Sequence, residues 1–166
     1  MSCVHGKDPW QSAYDEMRFF QGKSIEGVDT KTLNGKIVCG YQGWFNTPDD
    51  GYSLGWKHYS SEVGRRKGQF KPGFSSIEFW PHTSEFPAEA LTETKWRKKN
   101  GSPAKVFTST HPGVVMKHFE WMQEYGIEAA FLQRFVGPTV TKSARFRKNN
   151  RILDNVRTAA NATGRA

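Results

Sequence analysis

The stretch that decides the fold is PGVVMKHFEWMQEYGIEAAFLQRFV, residues 112–136. It opens on a proline, which the first turn of a helix tolerates because the missing N–H has no intrahelical partner there. Gly126 is typical of a helix end, and residues 127–136 directly after it read as a strand. One face of this helix is predicted to carry Val115, His118, Phe119, Met122 and Tyr125. A helix that leads so tightly into a strand indicates an α/β architecture.

Further elements extend outward from this unit in both directions. The turn signal Asn34-Gly35 precedes a buried strand over residues 36–41, and a second short strand is predicted over residues 75–81. Between them, residues 42–73 form an aromatic, glycine-rich stretch, long enough to indicate a functional loop. Residues 88–101 are weakly helical, and residues 106–108 are predicted to be extended.

A final helix is predicted to end at Gly164. Its buried side is expected to carry Ile152, Leu153, Val156, Ala159, Ala160 and Thr163. The order strand, loop, strand, helix, strand, helix favours parallel strands joined by right-handed crossovers. We therefore count about three strand units of something longer.

Composition limits the class of protein. The chain has 166 residues, of which 14% are aromatic, so wholesale disorder is excluded although the mean hydropathy is −0.70. No apolar run reaches the roughly 18 residues that a membrane helix needs.

The N-terminus lacks the apolar core of a signal peptide, and Cys3 and Cys39 are too few for a disulfide scaffold. Residues 1–34 are predicted to be an irregular extension, in which the spacing of Trp10, Tyr14 and Met17 permits a short helix.

The net charge is basic, with 24 Lys and Arg against 16 Asp and Glu, a formal +8. Nucleic-acid binding would require these charges on one face. They fall instead in three separate groups, at residues 65–67, 97–99 and 142–151. A solvated surface is therefore the better interpretation, and nucleic-acid binding ranks last among the functions considered.

Several kinds of site are excluded by their missing motifs. No two histidines stand in an HExxH or similar ligand pair, and no CxxC is present, so neither a catalytic nor a structural metal site is predicted. No GxGxxG follows the first strand and there is no GxSxG elbow. We expect no metal and no organic cofactor.

What remains is a set of aromatic and polar residues where the predicted strands end. Ligands of parallel α/β proteins meet this edge. Indole rings beside amide, carboxylate, imidazole and guanidinium groups suit a sugar, whose C–H faces lie on rings while its hydroxyls take hydrogen bonds. The predicted ligand contacts are Tyr41, Trp44, Asp50, His58, Glu78, Trp80, His82, Gln133 and Arg134.

Structural roles compete with this interpretation at several positions. Phe79 is better read as a core aromatic, whereas Trp44 in a turn is as well explained by a site as by the core. Glu78 alternates with its apolar neighbours and would face into a closed barrel, as a site residue or as a partner of Arg134. His118 lies on an apolar helix face and is better read as a core histidine than as a ligand.

Several ordered segments form a recognisable combination, namely residues 35–45, 49–51, 55–59, 79–81, 84–85, 118–122, 125–127 and 131–135. Together they resemble glycoside hydrolase families 71 and 99 and their endo-α-mannosidase-like and xylosidase/arabinosidase-like relatives. The resemblance runs from about residue 27 to the end of the sequence.

The resemblance implies that residues 35–166 are the N-terminal portion, about three β/α units, of a (β/α)8 barrel that hydrolyses glycosidic bonds. In the relatives the catalytic carboxylates lie on later strands, which implies positions beyond residue 166 here. Where relatives tend to carry Trp-Pro-Asp, this sequence has His82 after Trp80 and Pro81, which changes a sugar contact. Such relatives are often secreted.

We therefore expect part of a glycoside hydrolase that supplies sugar-binding residues and is inactive alone. Its partner would be an oligosaccharide or polysaccharide, without nucleic acid or membrane. The alternative is a non-catalytic carbohydrate-binding module derived from the same barrel, and a basic nucleic-acid-binding protein is the third hypothesis.

Overall fold

A computed structural model describes residues 30–60, 68–137 and 143–166. The predicted N-terminal helix and the basic group at residues 65–67 lie outside these ranges. The described strands are β1 (Val38–Tyr41), β2 (Leu91–Arg97), β3 (Pro103–Phe107) and β4 (Ala129–Leu132), and the helices are α1 (Pro112–Glu124) and α2 (Ala144–Thr163).

The central unit is a parallel pair formed by β1 and β4, with Tyr41 opposite Leu132. Helix α1 leads into β4, as the sequence predicts. The C-terminal residue continues the ladder on the outer edge of β4, because Ala130 N donates to Ala166 O at 2.9 Å and Ala166 N donates to Glu128 O at 3.0 Å. These two bonds are the pattern of a parallel pair, so β1, β4 and Ala166 lie side by side in chain order.

Both helices begin and end at recognisable caps. The imidazole Nδ1 of His111 accepts from Gly113 N at 3.2 Å, and Pro112 fills the first turn. The hydroxyl of Ser143 caps α2 by accepting from Phe146 N. Gly164 ends α2 in the left-handed conformation, with φ 67°, as predicted.

The main core lies between the parallel pair and the two helices. It is built from Tyr41, Val115, Phe119, Met122, Ile152, Val156 and Ala159. This confirms the predicted apolar face of α1 except at Tyr125, which is 72% exposed. The helix ends at Glu124, so Tyr125 departs from the helical spacing that would have turned it inward.

The strand predicted over residues 75–81 is not formed. Strand propensity there is high, but no strand of the described residues pairs with this segment, and Phe79, predicted to be a core aromatic, is 86% exposed. The described residues therefore contain two parallel strands with helical crossovers where three strand units were predicted. The barrel to which we assign them stays a prediction.

An antiparallel hairpin replaces the weak helix predicted over residues 88–101. Only Ala88–Ala90 are helical, as one 3-10 turn, and β2 then pairs with β3 around the predicted turn at Asn100 and Gly101. Thr92, Thr94 and Trp96 favour a pleated, half-buried surface, so pairing with β3 outweighs the helix preference of the intervening Glu and Lys. The extended piece predicted at residues 106–108 is the end of β3.

Candidate functional site

The candidate site is a cavity of about 310 Å³ at the carboxyl end of β1, here called the strand-end cavity. Its aromatic walls are Trp44, Phe45 and Phe107. Its polar groups come from Tyr41, Gln42, His58, Ser109 and His118. The predicted contacts Tyr41, Trp44 and His58 are thus brought together, although Tyr41 and His58 are 17 positions apart in the sequence.

The carboxyl end of β4 reaches the same edge of the sheet. Gln133 N donates to the carbonyl of Tyr41 at 2.8 Å, and the Gln42 amide Nε2 donates to Gln133 Oε1 at 2.7 Å. Gln133, predicted as a sugar contact, is therefore tied to a residue that lines the cavity. Parallel strands bring their carboxyl ends together, which is why this neighbourhood was predictable.

A hydrogen bond of 2.9 Å joins the Tyr41 hydroxyl to Nδ1 of His118 across the cavity floor. The imidazole packs among rings, with Phe86, Phe107 and Trp121 at centroid distances of 5.4, 5.8 and 5.6 Å. Burial lowers the pKa of His118 to about 4 and raises the pKa of Tyr41 above its usual value. Both groups are therefore neutral hydrogen-bonding groups at pH 7.

Trp44 forms a side wall and is itself packed by other rings. His58 stacks on the indole at 5.0 Å between centroids, and Phe135 lies at 5.5 Å. These rings cover part of the indole, so Trp44 presents less open face to a sugar than an isolated platform would. His58 adopts a left-handed backbone conformation, with φ 63°, which is uncommon for a residue other than glycine.

The loop after β1 is fixed from several sides. Phe45 and Ser109 exchange two hydrogen bonds, from Phe45 N to Ser109 Oγ at 3.2 Å and from Ser109 N to Phe45 O at 2.9 Å. Lys148 Nζ donates to the carbonyl of Trp44 at 3.1 Å. At Gly43, φ is 59° and a Cβ would lie 2.7 Å from Ile152 Cγ2. The loop is therefore held by the segment between β3 and α1 and by α2.

Asp50 lies outside the strand-end cavity, in a second cavity of about 300 Å³ lined by hydroxyl and charged side chains. Its carboxylate accepts from Asn46 Nδ2 at 2.5 Å, Tyr52 N at 3.0 Å and Thr108 Oγ1 at 3.2 Å. These bonds tie the loop to the end of β3. Partial burial raises the pKa of neighbouring Asp49, but hydrogen bonds led by that from Thr92 outweigh it and leave the pKa lowered.

Glu78, Trp80 and His82 lie in the irregular segment after residue 74 and line none of the described cavities. The Trp80 indole stacks on Phe70 and donates to the carbonyl of Lys105 at 2.9 Å, so it supports the hairpin. His82 Nε2 lies 3.5 Å from Glu85 Oε1. Glu78 is exposed.

Arg134 turns from the end of β4 toward α2. Its Nη2 donates to Asn150 Oδ1 at 2.6 Å, in place of the pairing with Glu78 considered from the sequence. Burial, followed by repulsion from Arg157, lowers the pKa of Arg134. Its Nε is buried without a hydrogen-bond partner. Arg134 thus joins β4 to α2 beside the candidate site.

The predicted contacts omit five side chains that line the cavity, those of Gln42, Phe45, Phe107, Ser109 and His118. His118 was expected in the core, and it does pack among rings, but α1 crosses β1 so that the imidazole also faces the cavity. Ser109 follows β3, which the sequence showed only as a short extended piece. The position of Ser109 in the sequence, between a strand and the α1 cap, was the one signal that could have identified it as a cavity residue.

Two searches within the described ranges give negative findings. No three His, Cys, Asp or Glu side chains are grouped there in a way that would hold a metal ion. In those same ranges, no helix has the length and apolar character needed to cross a membrane.

Comparisons of this chain with models of protein families, with curated proteins and with solved structures find no match. The family resemblance therefore remains a prediction, and support for a function comes from the geometry of the strand-end cavity.

Proposed function

We propose that this chain supplies part of the sugar-binding cleft of a glycoside hydrolase-like protein. The observation that carries the proposal is the strand-end cavity, where aromatic walls surround neutral hydrogen-bonding groups at the carboxyl end of a parallel strand. Its volume of about 310 Å³ lies at the lower end of the range for small-molecule sites. Rings that accept C–H faces beside hydroxyl, amide and imidazole groups are the chemistry that a carbohydrate requires.

The proposed architecture is an N-terminal portion of a (β/α)8 barrel. Supporting it are the parallel pairing of β1 with β4, the crossover through α1, and the ladder bonds that place Ala166 on the outer edge of β4. Successive units of a barrel add their strands in this chain order. The hairpin formed by β2 and β3 is then an insertion between the first strand and its helix.

The proposal assigns binding, and not bond cleavage, to these residues. Among the described residues that line the strand-end cavity there is no carboxylate, whereas most glycosidases place two carboxyl groups around the scissile bond. A non-catalytic carbohydrate-binding module is the second candidate, and this lack of carboxylates at the cavity favours it.

We expect the purified 166-residue chain to show no turnover of α-mannan or of aryl glycosides. The physical reason is the missing pair of carboxyl groups at the cavity. Release of reducing sugar or of the aryl group would be followed at pH 5 to 7, with heat-treated protein as the control. Hydrolysis above that control would overturn the assignment of binding alone.

We expect Trp44→Ala to weaken binding of a neutral oligosaccharide by about tenfold or more, because it removes a wall of the cavity. Isothermal titration with manno-, xylo- and arabino-oligosaccharides would measure this. Gln42→Ala removes a polar side chain that lines the same cavity. Because Gln42 is exposed, this substitution tests the site with little disturbance of packing.

The matched control is Phe79→Ala, which removes an aromatic ring that is 86% exposed and lines none of the described cavities. It should leave the affinity unchanged. Equal losses in Trp44→Ala and Phe79→Ala, or no binding of any of these oligosaccharides, would contradict the proposed function.

A further inference from the structure

A separate cavity of about 240 Å³ lies on the far side of Trp44 and His58, here called the basic cavity. Its charged groups are Lys57, Arg145 and Lys148, with Asn149 beside them. No acidic side chain is among its described lining residues. A concave site with three cationic groups and no carboxylate is suited to an anion.

Lys148 is the best placed of the three cations. Its side chain belongs to a residue only 5% exposed, and its ammonium donates to the carbonyl of Trp44 at 3.1 Å. Burial lowers its pKa to about 8; the Asp50 carboxylate opposes this shift, and smaller repulsions from Lys57 and Arg145 add to it. The ammonium is therefore still mostly protonated at pH 7, and an anion in the basic cavity would add to the counter-charge that Asp50 supplies.

The start of α2 adds to the same positive field. Arg145 and Lys148 stand in the first two turns of this 20-residue helix, and its first turn contains no acidic residue. Cations at a helix N-terminus oppose the helix dipole, so these positions do not serve the stability of the helix. An anion in the basic cavity would be favoured by the cations and by the dipole together.

Trp44 and His58 line both cavities, so the basic cavity adjoins the strand-end cavity. We propose that the basic cavity is a subsite for the anionic group of an acidic sugar residue, a carboxylate or a sulfate ester. The proposal rests on the proposed function and adds the substrate class: an oligosaccharide that carries negative charge next to the sugar in the strand-end cavity.

A nucleic acid is the less favoured occupant. Single-stranded nucleic acids are tracked by an extended basic groove with successive stacking rings. The basic cavity is instead a compact site in which one cation is buried and the neighbouring wall is shared with the strand-end cavity.

The test compares two anionic oligosaccharides with a neutral ester of one of them, using the full 166-residue chain. Tetragalacturonate, its fully methyl-esterified form and a sulfated galactotetraose would be titrated against the wild type, Arg145→Gln and Lys57→Gln. The matched control is Arg147→Gln, since Arg147 is an exposed arginine of the same helix that does not line the basic cavity.

We expect the carboxylate or the sulfate ligand to bind about tenfold more tightly than the ester, with the tighter one identifying the anionic group. Arg145→Gln should remove most of this advantage, and Arg147→Gln should preserve it. Binding of the ester that depends on Trp44, without any preference for charge, would overturn this inference and leave the proposed function intact.

Other outcomes would also overturn the assignment of the basic cavity to an acidic sugar. Equal losses in Arg145→Gln and Arg147→Gln would indicate diffuse attraction to a basic surface. Displacement of the acidic sugar by a lower concentration of single-stranded RNA, in an Arg145-dependent manner, would assign the cavity to nucleic acid. Failure of all three ligands, while a manno-, xylo- or arabino-oligosaccharide binds in a Trp44-dependent manner, would overturn this inference alone; failure of every oligosaccharide would reject the proposed function as well.

Discussion

Gly43→Ala is expected to lower the free energy of unfolding by about 3 kcal/mol. An added Cβ would lie 2.7 Å from Ile152 Cγ2, and Ile152 is buried in the main core, so either the loop or α2 must shift. Overpacking of this kind costs about 1–3 kcal/mol. The left-handed backbone at φ 59° adds about 1–2 kcal/mol for any residue with a Cβ. Urea denaturation at pH 7 would measure the loss.

Gly55→Ala is the matched control for that experiment. Its φ is 65°, close to that of Gly43, but a Cβ there would meet no atom within 4 Å. We expect Gly55→Ala to lose only the backbone contribution, about 1–2 kcal/mol. Equal destabilisation by the two substitutions would show that contact with Ile152 does not fix the loop.

Lowering the pH from 7 to 4 is expected to destabilise the protein by about 3 kcal/mol through His118 alone. The pKa of His118 is about 4 in the folded chain against 6.5 for the unperturbed group, chiefly because of burial. Between these values the unfolded chain binds a proton that the folded chain does not. The contribution of His118 to the free energy of unfolding is therefore complete above pH 6.5 and is lost progressively toward pH 4. Each pKa unit corresponds to about 1.4 kcal/mol.

The comparison that isolates this effect is wild type against His118→Asn. The Asn amide can occupy the position of Nδ1 and keep a hydrogen bond to the Tyr41 hydroxyl, but it does not titrate. Urea denaturation at several pH values should give a shallower pH dependence for the variant, whatever its stability at pH 7. Parallel curves for the two proteins would contradict the buried, neutral state of His118.

Several elements could be predicted because their signals are local. Pro112 and Gly164 mark helix ends through backbone chemistry, and the apolar spacing around Phe119 needs only the helical period. The strand before Tyr41 was equally clear, because a turn signal precedes a short apolar run. None of these predictions requires knowledge of a distant partner.

The errors concern segments whose structure depends on pairing. Residues 75–81 have strand propensity but no partner, whereas Thr92 and Trp96 lie in a strand because β3 is alongside. Strand propensity reflects packing against neighbours, which a single sequence does not reveal. The same reason explains why Trp80 and His82 were expected at the site and lie elsewhere.

The candidate site was predictable in part. Tyr41 and Trp44 follow a strand directly, so their location at the edge of the sheet could be inferred from the strand alone. Their contact with His118 depends on a hydrogen bond that spans 77 residues. Such a contact follows from how α1 crosses the sheet, and no spacing in the sequence indicates it.

The anchored loop of residues 42–47 has a consequence for how the cavity would meet a ligand. Hydrogen bonds with Ser109 and Lys148 and the close approach of Gly43 to Ile152 fix its backbone. Its conformational entropy is therefore lost during folding and not at the moment of association. Pre-organisation of this kind lets a small contact area give measurable affinity, because the cavity walls are already positioned for contact with the ligand.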